Sequence, residues 1–325
     1  MRADEAFDVS SAALVPETRD LTGDDALAVL RRCGWGTLLK DALRRLRVAD
    51  GFSHIRSLAY LVALVAIQAL IALVGLASVL HRGSVSRAID AAIRKAVPGP
   101  AGHVLTTAVT QANHSVAHHH YAAIIVGLVG SLITATTAMG QLERGLNRLY
   151  GVEQDRPVAK KYSLAFVFAL SAGTLTTLAF VCLTFGNEIF RRGSTTMLSN
   201  AWSIVRWPLG IVFIAAAVTL LFRWTPRRRQ PQFSWLMVGS AISVLLWVLS
   251  TVGLGLFFRS SSSFGSTYGP LAGVVALLLW SLLSSFSVFY GGAVAAQLEA
   301  VRVGSPAPQD RSKVARSDPG SDATR

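Results

Sequence analysis

Charge is what this chain has least of. Only 15% of its 325 residues are Asp, Glu, Lys or Arg, against about 25% in an average soluble domain. Six stretches carry essentially none: Ser57 to Leu80, Tyr121 to Leu142, Tyr162 to Asn187, Trp207 to Phe222, Phe233 to Phe258 and Ser260 to Leu298. All but the shorter Trp207 to Phe222 reach the roughly 20 residues an α-helix needs to cross a bilayer. Hydrophobic residues make up 52% of the chain, more than a soluble core could hide. Cysteine is also scarce, and Cys33 and Cys182 fall in a polar segment and an apolar run, which excludes a disulfide framework. Cys182 reads as a small buried hydrophobe. Catalytic signatures are missing as well. There is no Gly-x-Ser-x-Gly, no His-Glu-x-x-His, no phosphate loop and no paired Asp/Glu motif, which argues against hydrolase chemistry and against an ATP-driven pump.

What is present is an all-α plan: a six-transmembrane-helix bundle with a juxtamembrane amphipathic helix ahead of it. Composition divides the chain into a disordered acidic tail (1–25), a cytoplasmic amphipathic juxtamembrane helix region (26–56), a transmembrane domain (57–300) and a second disordered cytoplasmic tail (301–325). No apolar signal-peptide core occurs in the first fifty residues, so insertion is expected to rely on the first span. The fourth run is the weakest. Pro208 suits a first helical turn, although the helix could instead begin near Asn200.

The net charge of +13 invites a nucleic-acid reading until the positions are inspected. Arg44, Arg45, Arg47 and Arg56 precede the first span; Arg144, Arg148, Arg156, Lys160 and Lys161 lie between the second and third; Arg223, Arg227, Arg228 and Arg229 lie between the fourth and fifth. The alternate loops are poorer. By the positive-inside rule both termini are expected in the cytoplasm, and nucleic acid is not an expected partner. Leu38, Leu39, Ala42, Leu43 and Leu46 recur at helical spacing among Lys40, Arg44, Arg45 and Arg47. That pattern fits an interfacial helix lying on anionic lipid, or alternatively a helix packed beneath the bundle.

The polar residues within or at the ends of apolar helices are the candidate contacts, for a substrate or for neighbouring helices. They are Gln68 in the first span, Glu143, Arg144 and Asn147 after the second, and Gln297 closing the sixth. Glu143 and Asn147 share a helical face at i, i+4. Structural pairing, with glutamines hydrogen-bonded between helices and Glu143 paired to an arginine, is the competing reading. Small residues recur at Gly127, Ser131 and Ala135, at Gly130, Thr134 and Ala138, and at Ser284, Ser287, Gly291 and Ala295, stripes that let helices approach closely. His114, His118, His119 and His120 form the one metal-like cluster. With no cysteine beside them and only Asp90 in their loop they read as a polar cap, and neither a metal nor a cofactor is expected.

Two motifs carry a family resemblance. The run from Gln141 through Glu143, Arg144, Asn147 and Tyr150 to Val152, followed by Arg156-Pro157 and Lys160-Lys161, is one. Tyr268-Gly269-Pro270-Leu271-Ala272-Gly273, running on to Tyr290-Gly291-Gly292-Ala293, is the other. Over roughly residues 30 to 300 the chain resembles the YihY/virulence factor BrkB family of bacterial integral membrane proteins, in particular its YhjD-like branch. The resemblance implies six spans, cytoplasmic termini, the bacterial cytoplasmic (inner) membrane, a role in envelope integrity, and export of a lipid or other envelope component. It also implies that the older ribonuclease BN label is a misassignment. Tyr268, Gly269 and Pro270 would shape an entrance to the sixth helix. Many relatives have an acidic residue late in that helix where this chain has Val294, with Ala296 shortly after, so a buried charge in these helices is not expected and a proton-driven pump is disfavoured.

The expected function is therefore a non-enzymatic transporter of an envelope lipid or similar amphiphile, with membrane lipids as partners. A non-transporting scaffold for envelope or division machinery is the alternative, and homo-oligomer formation stays open.

Overall fold

The structure, a computed structural model, describes residues 14–18, 21–79, 120–191, 196–260 and 271–304. Among the described residues there are eight α-helices and no strand: α1 (Gly23–Cys33), α2 (Trp35–Val48), α3 (Gly51–Val79), α4 (His120–Leu149), α5 (Val158–Arg191), α6 (Thr196–Trp224), α7 (Phe233–Ser260) and α8 (Leu271–Arg302). The six from α3 to α8 are long and apolar enough to cross a membrane. The all-α, multi-pass plan expected from the uncharged runs therefore stands.

Helix bounds differ from the apolar runs at informative places. At one end the helices outlast the runs, since α4 continues through Glu143 and Arg148 to Leu149 and α8 continues through Glu299 to Arg302. Pro208 lies inside α6, which starts at Thr196, so the first-turn reading of Pro208 gives way to the earlier start. A transmembrane helix tolerates the lost N–H bond because neighbouring groups compensate. The sixth span begins at Leu271 rather than at Ser260, which ends α7.

α1 starts where the Thr22 amide and hydroxyl both donate to Asp25 Oδ2 at 2.9 Å. Those two bonds hold the Asp25 carboxyl below its usual range. Gly34, with φ +76°, turns the chain from α1 into α2, a backbone region glycine enters without steric cost. The apolar stripe of α2 is spent on protein rather than lipid. Leu38, Ala42 and Leu46 are buried in the main core, and α2 packs chiefly on α8. This corrects the interfacial expectation in favour of a helix lodged beneath the bundle. The tail expectation also needs correction, because Leu14–Thr18 are docked: Val15 is buried and its amide donates to the Tyr150 carbonyl at 3.0 Å.

The spans form a ring. Extensive contacts run α3–α4, α4–α5, α5–α6, α6–α7, α7–α8 and α8–α3, and α4 also meets α8 across the middle. Small residues permit the tightest crossings. A Cβ on Gly127 would come within 2.5 Å of the Ala72 amide nitrogen on α3, and one on Gly239 within 2.6 Å of the Gly291 carbonyl on α8. At Gly127 and Gly291 the expected small-residue stripes are thus seams where backbones touch, whereas Gly130 makes room for the Gln68 side chain.

Candidate functional site

The ends of α4, α6 and α8, the starts of α3, α5 and α7, and the helices α1 and α2 all meet at one end of the ring, here called the basal end. Its polar residues form a continuous plate. Glu143, 1% exposed, pairs with Arg156 at 3.1 Å. The same guanidinium donates to the carbonyls of Thr225 at 2.7 Å and Pro226 at 3.0 Å, occupying acceptors at the C-terminus of α6, where a cation is favoured. Asn147 bridges two loops, donating to Asp155 Oδ1 at 3.3 Å and accepting from the Arg227 amide at 2.7 Å. Asp155 also accepts from Arg144 at 3.2 Å and Lys161 at 2.9 Å. Burial pushes the Asp155 carboxyl up, but the bonds from Lys161, Asn147 and Arg144 outweigh it and hold the group below its usual range.

A second part of the plate surrounds Glu299 at the end of α8, which is fully buried. It accepts from Arg228 at 2.6 Å, from the Thr18 hydroxyl at 2.5 Å and from the Thr18 amide at 3.2 Å. Arg228 also donates to the Pro16 carbonyl at 3.2 Å and lies 4.5 Å over the Tyr150 ring. Burial drives the Tyr150 phenol well above its ordinary pKa. In the third part, Arg45 of α2 donates to Gln297 Oε1 at 2.8 Å and to the Leu149 carbonyl at 3.3 Å. Burial pulls the Arg45 guanidinium down to about 10, so it remains charged at neutral pH.

The plate thus gathers four residues singled out from the sequence: Glu143, Arg144, Asn147 and Gln297. Gln68 stands apart, roughly 25 Å along α3 from its start at 1.5 Å rise per residue, and accepts a bond from Thr134 at 2.8 Å. Tyr268, Gly269, Pro270, His114, His118 and His119 lie outside the described residues. Two buried carboxylates within the spans, Glu143 and Glu299, overturn the expectation that these helices bury no charge. Sequence reasoning missed Glu299, Asp155, Arg45, Arg156 and Arg228 as partners. The available signal was that Glu299 is a lone carboxylate within the final apolar helix, two residues beyond Gln297.

Away from the plate the ring opens, and the inner face of α4 records how. At about 100° per residue, Gly127, Gly130 and Thr134 lie toward α3, Gly140 toward α5, and Gly145 and Leu146 toward α8, as their contacts require. The strip left facing inward is exposed at Ile125, Leu128 and Val129, half-buried at Leu132, Thr136 and Met139, and buried at Leu142, Glu143 and Asn147. The facing strip of α8 repeats the gradient: Leu271, Val274 and Leu278 are exposed, whereas Ser281, Ser285, Phe289 and Gly292 are buried. The two strips touch at the basal end, where Phe289 meets Gly145 and Gly292 meets Leu146. Among the described residues this paired gradient fits a funnel with apolar walls between the two strips.

Its floor is polar. The hydroxyls of Ser281 and Ser285 on α8 are buried there without a hydrogen-bond partner, although buried polar groups are normally satisfied; Ser243 of α7, likewise unpartnered, lies in the α7–α8 seam against Gly291. Among the described residues no three of His, Cys, Asp and Glu come together as a metal-binding group. What the arrangement offers is an apolar cleft above unpaired hydroxyls and a closed, charged base.

Comparison with known proteins gives a family but little chemistry. The family described as Virulence factor BrkB matches residues 42–316. Over 178 residues the chain is 24% identical to the "Putative ribonuclease-like protein YfkH" of Bacillus subtilis (strain 168), an alignment spanning 53% of this chain and 64% of the relative. It is 26% identical over 183 residues to the UPF0761 membrane protein Bxeno_A3061 of Paraburkholderia xenovorans (strain LB400), spanning 55% and 41%. A third relative, the UPF0761 membrane protein azo3165 of Azoarcus sp. (strain BH72), is 23% identical over 219 residues, spanning 65% and 50%. The chain covers less than two thirds of each of these relatives. No solved structure matches it.

Proposed function

The chain belongs to the virulence factor BrkB family, and on that premise we propose that it moves an amphiphilic envelope component, a lipid or a molecule built like one, across the bacterial cytoplasmic membrane without covalent chemistry. The observation that carries this reading is the matched gradient on the facing strips of α4 and α8, exposed and apolar at Ile125, Val129, Val274 and Leu278, closed and polar below. Apolar walls suit acyl chains, because lipid tails meet no unfavourable contact there. The Ser281 and Ser285 hydroxyls are buried in this conformation and become available to the polar part of such a molecule when the closed end opens.

Orientation follows from charge. The basal loops hold Arg144, Arg148, Arg156, Lys160, Lys161 and Arg227 to Arg229, so the positive-inside rule assigns the basal end, with both termini, to the cytoplasm. The funnel then faces the outer side, and the cytoplasmic side is shut. The carboxylates give the reading no nuclease: Glu143 and Glu299 are each engaged by an arginine.

The test is reconstitution of the purified chain into liposomes holding labelled envelope lipids on one leaflet. Transbilayer movement above protein-free vesicles is expected, with Val129→Trp plus Leu278→Trp reducing it by filling the cleft. No movement above the protein-free rate would sink the reading and favour the scaffold. An impermeant thiol reagent, applied to Arg302→Cys in a chain lacking Cys33 and Cys182, should label inverted vesicles and spare intact cells.

A further inference from the structure

With its apolar face committed to the bundle, α2 presents the opposite face outward, and that face is organised. Lys40, Arg44 and Arg47 are exposed and follow i, i+4, i+7, the spacing that keeps side chains on one side of a helix. With Gly36, Thr37 and Leu43 they line an open groove of about 880 Å³. Among the described residues none of the three cations is engaged in an ion pair. Asp41, the one carboxylate of the lining, instead favours the charge of Arg45, buried on the other side. The row extends over roughly 10 Å at 1.5 Å per residue, long enough for more than one phosphate group.

Position identifies the occupant. α2 ends at Val48 and the first span begins at Gly51, so Arg44 and Arg47 stand at the level where a bilayer's headgroups lie. Exposed Trp35 and Phe52 flank the row, and Phe52 stacks at 6.4 Å on Phe286, which stacks at 5.6 Å on Tyr290. Aromatic side chains beside cations at a span's end are how membrane proteins meet the interface. We infer that the outer face of α2 is a binding site for the phosphates of anionic phospholipid headgroups, held by Lys40, Arg44 and Arg47. Arg supplies a planar fork that matches phosphate oxygens, and Lys a point charge. This site is separate from the funnel and stands whether or not the chain transports. It differs from an interfacial helix in that the polar face, not the apolar one, makes the lipid contact.

The experiment uses the full-length protein in a neutral detergent, titrated with short-chain phosphatidylglycerol and, separately, short-chain phosphatidylcholine, inorganic phosphate and polyglutamate. Bound ligand is counted by native mass spectrometry. Phosphatidylglycerol should bind and weaken with rising salt, and the variant K40Q/R44Q/R47Q should lose up to roughly 100-fold in affinity at low salt, from the contribution expected of each basic residue near a charged membrane. Arg31→Gln plus Arg32→Gln, exposed on α1, is the charge control and should bind like the parent. All three changes in the triple variant lie on an exposed face, and unchanged elution and helicity confirm that it folds. Equal binding of phosphatidylcholine, equal binding of inorganic phosphate, preference for polyglutamate, undiminished phosphatidylglycerol binding by the triple variant, or an equal loss in the α1 control would each overturn the inference.

Discussion

Glu299→Ala should be the most damaging single truncation at the basal end. The carboxylate is fully buried, and its partner Arg228 has a side chain only 2% exposed. Truncation leaves the guanidinium in place with its charge uncompensated. Its Nε and Nη1 already lack hydrogen-bond partners, so only the Pro16 carbonyl and the Tyr150 ring would remain to it. Removing one member of a buried ion pair costs about 3–5 kcal/mol, and that is the loss expected here. Replacing both members by apolar residues of similar size, Glu299→Leu with Arg228→Met, removes the stranded charge. The double variant should recover to within about 2 kcal/mol of the parent, because well-packed apolar replacements of buried pairs are often close to neutral. Unfolding of the purified protein in mixed micelles with increasing dodecyl sulfate measures all four members of the cycle. Limited proteolysis near residues 14–18 adds a local readout, since Thr18 loses both bonds to the carboxylate. A loss below about 1 kcal/mol for E299A, or a double variant as unstable as the two singles summed, would refute the reasoning.

Asp155→Asn should lower stability at neutral pH and flatten its acid dependence. The sign follows from the depressed carboxyl: the stabilisation is present above the unfolded pKa of about 3.9 and is lost as pH falls through the lower folded value, so parent and variant should converge in acid. Midpoints that stay equally far apart at every pH would count against it. Gly127→Ala should destabilise the α3–α4 seam by about 1–3 kcal/mol, because its Cβ meets backbone of Ala72 that cannot turn aside. Gly173→Ala has no atom within 4 Å and should be neutral or stabilising by up to about 1 kcal/mol; thermal stability in detergent compares the two, and the opposite order would discredit the seam. Thr18→Val should cost about 1 kcal/mol, near or below the low end for a bond to a charged acceptor because the site is only partly buried, and should raise proteolysis of the N-terminal segment. Unchanged proteolysis would mean that the hydroxyl does not fasten it.

The spans were legible in the sequence because membrane insertion is decided locally: an uncharged run either covers the hydrocarbon or does not. Helix seams were legible for a related reason, since Gly127 and Gly291 can matter only where something approaches closely. The partners at the basal end were not. Arg156 and Arg228 look like any other basic loop residues under the positive-inside rule, and nothing local says that one meets Glu143 and the other Glu299. Arg45 sits among Arg44 and Arg47 in an apparently uniform basic helix, and only the packing of α2 against α8 buries it while exposing its neighbours. The docked Val15 and Thr18 were hidden for the opposite reason. An acidic, Pro- and Gly-containing segment has the composition of a mobile tail, and a handful of contacts with Tyr150, Arg228, Arg229 and Glu299 fix part of it.

For a transporter, a funnel closed at its base is one half of a cycle, and the plate constrains the other half. The α4–α5 and α6–α7 loops are joined through Arg156 to the Thr225 and Pro226 carbonyls, Asn147 to the Arg227 amide, and Arg227 to the Gln154 and Asp155 carbonyls. These two hairpins are therefore expected to move together. α8 is tied to them in polar terms by Glu299–Arg228, by Trp280 reaching Thr251 of α7 and by Arg45 reaching the Leu149 carbonyl, while Arg45 remains bonded to Gln297 of α8 itself. Separating α8 and α2 from the two hairpins breaks these links and parts the strips that meet at Phe289 and Gly145, whereas the start of α1 is bonded to the α6–α7 hairpin, from the Gly23 amide to Ser234 and from the Gln232 amide to the Leu21 carbonyl. Leu14–Thr18 bridges that boundary, from Glu299 on one side to Tyr150 and Arg229 on the other. Any opening at the base along this line has to release the segment or carry it.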